Sequence, residues 1–263
     1  MTESELLIER HLPASRQLLW QACTDPKHMA AWQADVVRGR VALGETLGLR
    51  WPALRVEVEL KVQEWIEAER LVLQNGELTT EFLFAENRLQ VLVAGIQDDD
   101  TREGTHSSWE LSLAMLEHYL TYHFDENRHA TWFLRRSKTS SRIAHTFFTD
   151  ADALGVWLTP KTKGIGAAGS SYQFDLDGAQ IIEGRVLANV PERDILLSVG
   201  DTAQSTLALR TFPSPYSEDE RVIAMTWSRW GGGARSKDDD PAHALLEAAI
   251  DRLGGLLARS GSA

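Results

Sequence analysis

The spacing of apolar residues predicts the same order of elements in each half of the chain. In the first half, a strand over residues 6–12 precedes a helix whose first turn Ser15 is expected to cap, because its hydroxyl can accept an unpaired amide. Residues 56–63 alternate apolar and polar side chains, which is typical of a strand with one face in water. An amphipathic helix is predicted where apolar residues recur every three or four positions, at Trp109, Leu113, Leu116 and Leu120.

The second half ends in a comparable helix with clear boundary signals. Asp240 is expected to cap it and Pro241 to occupy its first turn, followed by an apolar face from Leu245 to Leu257. Gly254 and Gly255 interrupt this helix at a cost of about 1 kcal/mol each relative to alanine. They therefore predict close packing or a kink.

The two halves also share several sequence blocks in the same order. Thr24-Asp25 precedes Trp32 as Thr149-Asp150 precedes Trp157, at an offset of 125 residues. Ser15 with Ser140 and Gly44 with Gly169 match at the same offset, and the offset then shrinks to 124 for Lys61-Val62 with Arg185-Val186 and to 123 for Glu69-Arg70 with Glu192-Arg193. This period is too long for a solenoid and is about the length of a small domain. We predict two homologous domains, residues 1–124 and 128–263.

The fold class expected from this order is α+β, with two tandem helix-grip domains. In each domain a curved antiparallel sheet would wrap around the long C-terminal helix. The ordered motifs, above all Thr-Asp-x6-Trp, resemble the START-like helix-grip (SRPBCC) superfamily. Within it, they are most similar to the family named after the activator of the heat-shock chaperone ATPase.

Composition excludes several classes of protein. The chain has 263 residues, 43% of them hydrophobic, and a net charge of −11. It is therefore not disordered, and nucleic acid and anionic membranes are poor partners for it. No apolar run is long enough to span a membrane. One cysteine and an acidic N-terminus favour a cytoplasmic protein.

Motifs for catalysis or cofactor binding are weak. The glycines of 164–169 fit a dinucleotide fingerprint, but neither a buried strand before them nor a helix after them is predicted. His118 and His123 are five residues apart, which favours surface or helix-end positions over a metal site. Cys23 lies on an apolar helix face and is interpreted as a small core residue. The acidic triplets 98–100 and 238–240 are interpreted as helix caps, and the basic run 135–142 as a solvated strand end. No catalytic residue, metal or cofactor is predicted.

Aromatic side chains are the main candidates for a binding site. Trp32 and Trp157 recur at a fixed place in the repeat and are expected in the core. In a helix-grip fold an apolar cavity can remain between sheet and helix. Seven aromatic residues would then either line this cavity or fill it: Trp51, Phe82, Phe84, Trp109, Tyr172, Phe174 and Trp227.

Three functions are consistent with these features. The first is non-catalytic binding of a small hydrophobic or amphipathic ligand in such a cavity. The family resemblance implies the second, a chaperone-linked interaction protein. The superfamily resemblance implies the third, an aromatase/cyclase-like enzyme in which a pocket positions a reactive chain. Oligomeric state is left open.

Overall fold

The chain forms two compact units, Met1–Arg128 and His129–Ala263. The computed structural model describes residues 4–159, 161–176, 181–200, 205–214, 216–231 and 241–260.

The first unit is built on a seven-stranded antiparallel sheet. Its strands lie in the order β1-β7-β6-β5-β4-β3-β2. Two short helices follow β1, and one long helix ends the unit. The elements are β1 Ser4–His11, α1 Arg16–Thr24, α2 Pro26–Trp32, β2 Val36–Gly39, β3 Thr46–Trp51, a 3-10 turn Pro52–Leu54, β4 Val56–Ile66, β5 Arg70–Asn75, β6 Leu78–Ala85, β7 Arg88–Ile96 and α3 Asp99–Tyr122.

The second unit repeats this plan with a six-stranded sheet in the order β8-β13-β12-β11-β10-β9. Strand β8 begins at the last residue of the first unit. The elements are β8 Arg128–Ser137, α4 Ser141–Thr149, α5 Ala151–Trp157, β9 Ser171–Asp175, β10 Ile181–Asn189, β11 Ile195–Val199, β12 Ser205–Ser214, β13 Ser217–Trp230 and α6 Pro241–Ser260.

The long helices bury the apolar faces predicted for them. Leu113 and Leu116 of α3 are fully buried. In the second unit one apolar core combines α6, through Leu246, Ile250 and Leu253, with side chains of β11, β12 and β13. Burying one helix face against one sheet face removes both from water. The predicted α+β class with two tandem helix-grip domains is confirmed.

The repeat is also visible in the hydrogen bonds around the short helices. Ser15 and Ser140 cap α1 and α4, and Asp25 and Asp150 cap α2 and α5. In each unit a tryptophan indole donates to a backbone carbonyl ten residues earlier. These bonds run from Trp32 Nε1 to Ala22 O at 2.9 Å and from Trp157 Nε1 to Phe147 O at 2.7 Å. Both tryptophans are buried, as predicted.

The glycines of 164–169 form a loop. Gly164 and Gly169 have φ of +82° and +86°, and their counterparts Gly39 and Gly44 have +86° and +81°. In the second unit this loop leads from α5 to β9, and in the first unit it joins β2 to β3, whereas a dinucleotide site requires a strand followed by a helix. The prediction that these glycines shape a loop is confirmed.

The long helix α3 begins as its acidic triplet predicts. Asp98 caps α3, accepting the Thr101 N–H at 2.8 Å, and Asp99 and Asp100 lie in the first turn. Hydrogen bonds from Thr101 lower the pKa of Asp98. The triplet 238–240, and with it the predicted Asp240 cap, lies outside the described residues; α6 begins at Pro241.

Candidate ligand-binding site

The seven predicted aromatic residues lie in three groups. Phe82, Phe84 and Trp109 come together in the first unit, with Phe82 and Trp109 edge to face at 5.4 Å. Trp51 is half-buried in a separate small cluster of the same unit, beside Met29, Leu47 and Leu49.

The third group, Tyr172, Phe174 and Trp227, lies in the second unit. Its tyrosine hydroxyl and its indole N–H both donate hydrogen bonds. Tyr172 stacks at a tilt on Phe174 at 4.9 Å, and its hydroxyl donates to Ser198 O at 2.7 Å. Burial raises the pKa of Tyr172. Phe174 is wholly buried in the core. The half-buried Trp227 donates from its indole to Ser205 Oγ at 2.9 Å.

In the first unit the aromatic group extends further than the sequence indicated. Trp20 of α1 contacts Phe84 edge to face at 5.2 Å and Trp65 at 5.7 Å. Phe82 and Phe84 are 6.3 Å apart. Side chains from one short helix, the sheet and the long helix therefore form one contact chain, the aromatic ladder: Trp65, Trp20, Phe84, Phe82 and Trp109.

Trp65 escaped prediction because a β-bulge changes the face on which it lies. By simple alternation it would continue the polar face of β4. The pairing with β5 shifts register between Val62 and Glu64, so Trp65 pairs with Leu71, a buried residue of the inner face. A bulge adds one residue to one strand and reverses the alternation beyond it. Trp65 thus reaches Trp20 while remaining 41% exposed.

The aromatic ladder of the first unit is partly exposed at both ends and buried between them. Trp65 at one end and Trp109 at the other are partly exposed, whereas Phe82 and Phe84 between them are buried. Edge-to-face contacts are favourable because the positive edge of one ring meets the negative face of the next. Such surfaces suit apolar or aromatic ligands.

A second cluster in the first unit is polar and was not predicted. His28 of α2 is buried, with Nδ1 2.6 Å from the Tyr119 hydroxyl and Nε2 3.1 Å from Gln21 Nε2. The Tyr119 hydroxyl accepts the Asp125 N–H at 3.0 Å. Phe124 stacks on the imidazole ring at 4.6 Å. This cluster joins α2 to the C-terminal end of α3.

Burial shifts the pKa values of His28 and Tyr119 in opposite directions. Desolvation lowers the pKa of His28, opposed by the charges of Asp25 and Asp125 and assisted by Lys27. Burial raises the pKa of Tyr119 to about 12. Both rings are therefore neutral at pH 7, and their polar atoms bond to each other and to neighbouring groups.

We expect the first unit to lose stability as the pH falls from 7 to 5. A histidine whose pKa is lower in the folded than in the unfolded chain binds fewer protons when folded, so protonation favours unfolding below its ordinary pKa of about 6.5. His28→Gln should reduce this loss. Hydrogen exchange of α2 and α3 amides at several pH values measures it. His11→Gln, at an exposed site, is the control and should leave the loss unchanged.

The two histidines considered for a metal site are both buried. His118 lies within α3 and is 3% exposed, so the prediction of a surface or helix-end position was wrong for it, whereas His123, although only 7% exposed, is the C-cap of α3 and thus lies at the helix end as predicted. The rings are 5.3 Å apart. The face of α3 that meets water is narrow near its C-terminus, and helical spacing alone does not show this. Among the described residues, no group of three or more metal-ligating side chains occurs.

Cys23 and the basic run 135–142 have the surroundings predicted for them, a buried core position and a strand end with exposed basic side chains. Cys23 is 2% exposed, and burial raises the pKa of its thiol. Phe148, its counterpart, is fully buried. Residues 135–142 span the end of β8 and the turn into α4, where Arg136, Lys138 and Arg142 are exposed and Arg135 pairs with Asp251. No helix in the described part of the chain is long and apolar enough to cross a membrane.

Each unit is thus a helix-grip domain, with a long C-terminal helix against an antiparallel sheet and two short helices beside it. The second unit repeats the elements of the first, so the chain carries the helix-grip fold as a tandem duplication. Residues 13–121 match the family model "Activator of Hsp90 ATPase homolog 1-like protein". The match lies in the first unit. No curated protein matches the chain.

Several solved structures are similar to the chain at low identity. DynU16, a putative protein in the dynemicin biosynthetic locus, is 15% identical with 96% of this chain and 98% of its own covered, at a TM-score of 0.42. The di-domain ARO/CYC BexL, from the BE-7585A biosynthetic pathway, is 12% identical with 99% and 95% covered, at 0.39. The Aha1 dimer from Colwellia psychrerythraea is 18% identical with 44% and 96% covered, at 0.39.

Proposed function

We propose that the chain is a non-catalytic binding protein whose first unit takes a small hydrophobic ligand at the aromatic ladder. The observation that carries this proposal is the meeting of aromatic rings from α1, the sheet and α3 at one place. The ligand's apolar part lies against Trp109 and Phe82, between sheet and long helix.

The character of the ladder supports binding without catalysis. Its members carry no acid, base or nucleophile, and aromatic rings bind apolar groups by burying large areas. Its half-buried end, Trp109, gives a ligand access from solvent. The buried polar pair of this unit, His28 with Tyr119, is covered by Phe124 and engaged in its own hydrogen bonds. An aromatase/cyclase-like reaction therefore has less support than binding.

Titration of the full chain with N-phenyl-1-naphthylamine, a neutral fluorescent hydrophobic probe, tests the proposal. We expect saturable binding of one probe per chain. Trp109→Leu should weaken it at least tenfold, because a large ring surface is lost at the half-buried end. The control is Trp132→Leu, a half-buried tryptophan of β8, which should bind the probe as the parent does. Thermal unfolding of both variants verifies folding.

Native mass spectrometry of gently purified protein provides an independent measurement. A retained small molecule that Trp109→Leu no longer carries is the expected result. If the probe shows no saturable binding, or if both tryptophan variants weaken it equally, binding at the ladder is refuted.

A second candidate is a chaperone-linked interaction, favoured by the family match over residues 13–121. The matched family is named for activation of the Hsp90 ATPase. If the first unit acts in this way, adding the chain should raise the ATPase rate of the heat-shock chaperone. An unchanged rate over a range of protein concentrations counts against this function and leaves ligand binding untouched.

A further inference from the structure

The second unit has an open groove beside its terminal helix, distinct from the aromatic ladder. Its volume is about 520 Å³, within the range of small-molecule sites. We call it the α5–α6 groove. Its lining residues are Val156 of α5 and Asp251, Arg252, Gly255, Leu256 and Arg259 of α6.

The two glycines of α6 differ in a way that bears on this groove. A Cβ atom on Gly254 would lie 3.2 Å from Arg135 Cβ, so tight packing against β8 accounts for that glycine. A Cβ atom on Gly255 would meet only Arg259 Nη1, at 3.8 Å. Mid-helix glycine costs about 1 kcal/mol relative to alanine. Packing within the unit does not require a glycine at position 255. The missing side chain leaves the groove open as far as the helix backbone.

Comparison of the two units shows that one position lining the groove differs between them. Val156 corresponds to Ala31 at the repeat offset of 125. Ala31 is 1% exposed, whereas Val156 is 60% exposed. The second unit thus places a larger apolar side chain in solvent at a position that is covered in the first. Such a side chain in an open groove is available to the apolar part of a ligand.

The charges around the groove are mainly positive, although the chain is acidic. The carboxylate of Asp251 is paired with Arg135, and this ion pair lowers the pKa of Asp251. Arg252 donates from Nε to Trp157 O at 2.9 Å, which holds its guanidinium at the groove. Arg259 lies two helical turns further along α6 and is exposed. Guanidinium groups bind carboxylate and phosphate oxygens through paired N–H donors.

We propose that the α5–α6 groove binds a small amphiphile that carries one carboxylate or phosphate group. The anionic group pairs with Arg252 and Arg259, and the apolar part lies on Val156 and Leu256 where Gly255 leaves space. This site is independent of the proposed function at the ladder, because it lies in the other unit and requires charge.

Methyl NMR titrations of the full chain with decanoate and with decyl phosphate, each below its micellar concentration, test this site. We expect saturable shifts of the Val156 and Leu256 methyl signals with at least one of them; the probe that binds identifies the anionic group. Arg259→Gln should weaken binding at least tenfold. Gly255→Ala should weaken it at least fivefold while raising Tm by about 2–4 °C, because alanine favours the helix.

Gly254→Ala is the matched control for Gly255→Ala. It should leave binding unchanged and raise Tm less, or lower it, because its methyl group meets Arg135. The proposal is overturned if the Val156 signals do not move, or if decanol binds as tightly as decanoate. It is also overturned if Gly255→Ala binds like the parent. Binding of N-phenyl-1-naphthylamine at the ladder should be unaffected by all three variants, so failure at one site is separable from failure at the other.

Discussion

Replacing Trp157 by alanine is expected to lower the free energy of unfolding of the second unit by about 3–5 kcal/mol. The indole is completely buried and donates to Phe147 O at 2.7 Å. Its removal leaves a cavity among close-packed side chains and a carbonyl without its donor. The corresponding Trp32→Ala should cost the first unit a similar amount, because Trp32 is 3% exposed and makes the same bond.

Hydrogen exchange is the suitable measurement, because it reports the stability of each unit separately. Slowly exchanging amides of α4 and β9 should lose protection in Trp157→Ala, and those of α1 and β3 should keep it. Trp65→Ala is the control, since that side chain is 41% exposed and should cost about 1 kcal/mol or less. A loss in Trp157→Ala as small as that of Trp65→Ala would contradict the assigned core role.

Gly184→Ala is expected to destabilise the second unit by about 3 kcal/mol, at the upper end of the usual cost of overpacking. A Cβ atom at this position of β10 would overlap the Ser198 carbonyl, with the carbonyl carbon only 2.9 Å away. The obstacle is backbone of the neighbouring strand, so no side-chain rotation relieves it. Either β10 or β11 must move, and the Ser198 hydroxyl would lose its bond to the Arg185 N–H at 3.0 Å.

The control for this variant is Gly48→Ala in the first unit. Its added methyl group would have ordinary contacts, 3.9 Å from Arg38 Cβ and from Glu57 Oε1. Alanine also restricts the unfolded chain more than glycine, so a small gain of about 0.5 kcal/mol is expected. Urea unfolding followed by circular dichroism, together with hydrogen exchange in β10 and β11, distinguishes the two. Equal stability of both variants would show that β10 and β11 can separate without cost.

The aromatic ladder illustrates how far the sequence predicts a site. Phe82, Phe84 and Trp109 were found from periodicity, because their neighbours alternate regularly on β6 or recur helically on α3. Trp65 was missed because one bulge moves it to the other face, and a bulge depends on the pairing of β4 with β5. The burial of Trp20 was predictable from the sequence, because Trp20 follows Leu19 on the apolar side of α1. Both residues are buried.

The polar cluster and the α5–α6 groove depended on the tertiary structure entirely. His28 and Tyr119 are 91 residues apart, and only the packing of α2 on α3 brings their side chains to 2.6 Å. Gly254 and Gly255 are neighbouring residues of the same type, so the sequence alone does not distinguish their roles. Their surroundings differ because a Cβ atom on Gly254 would press on Arg135 of β8, whereas one on Gly255 would meet only Arg259 Nη1, at an ordinary contact distance of 3.8 Å.

The sequence by itself determined the duplication, the order of elements, the caps of the short helices and the buried tryptophans. These features depend on interactions within about ten residues, as in the bonds from Trp32 to Ala22 and from Trp157 to Phe147. The tertiary structure decided which faces remain exposed, where the aromatic rings meet and where the groove opens. These follow from strand register and helix packing between distant residues, which local periodicity does not encode.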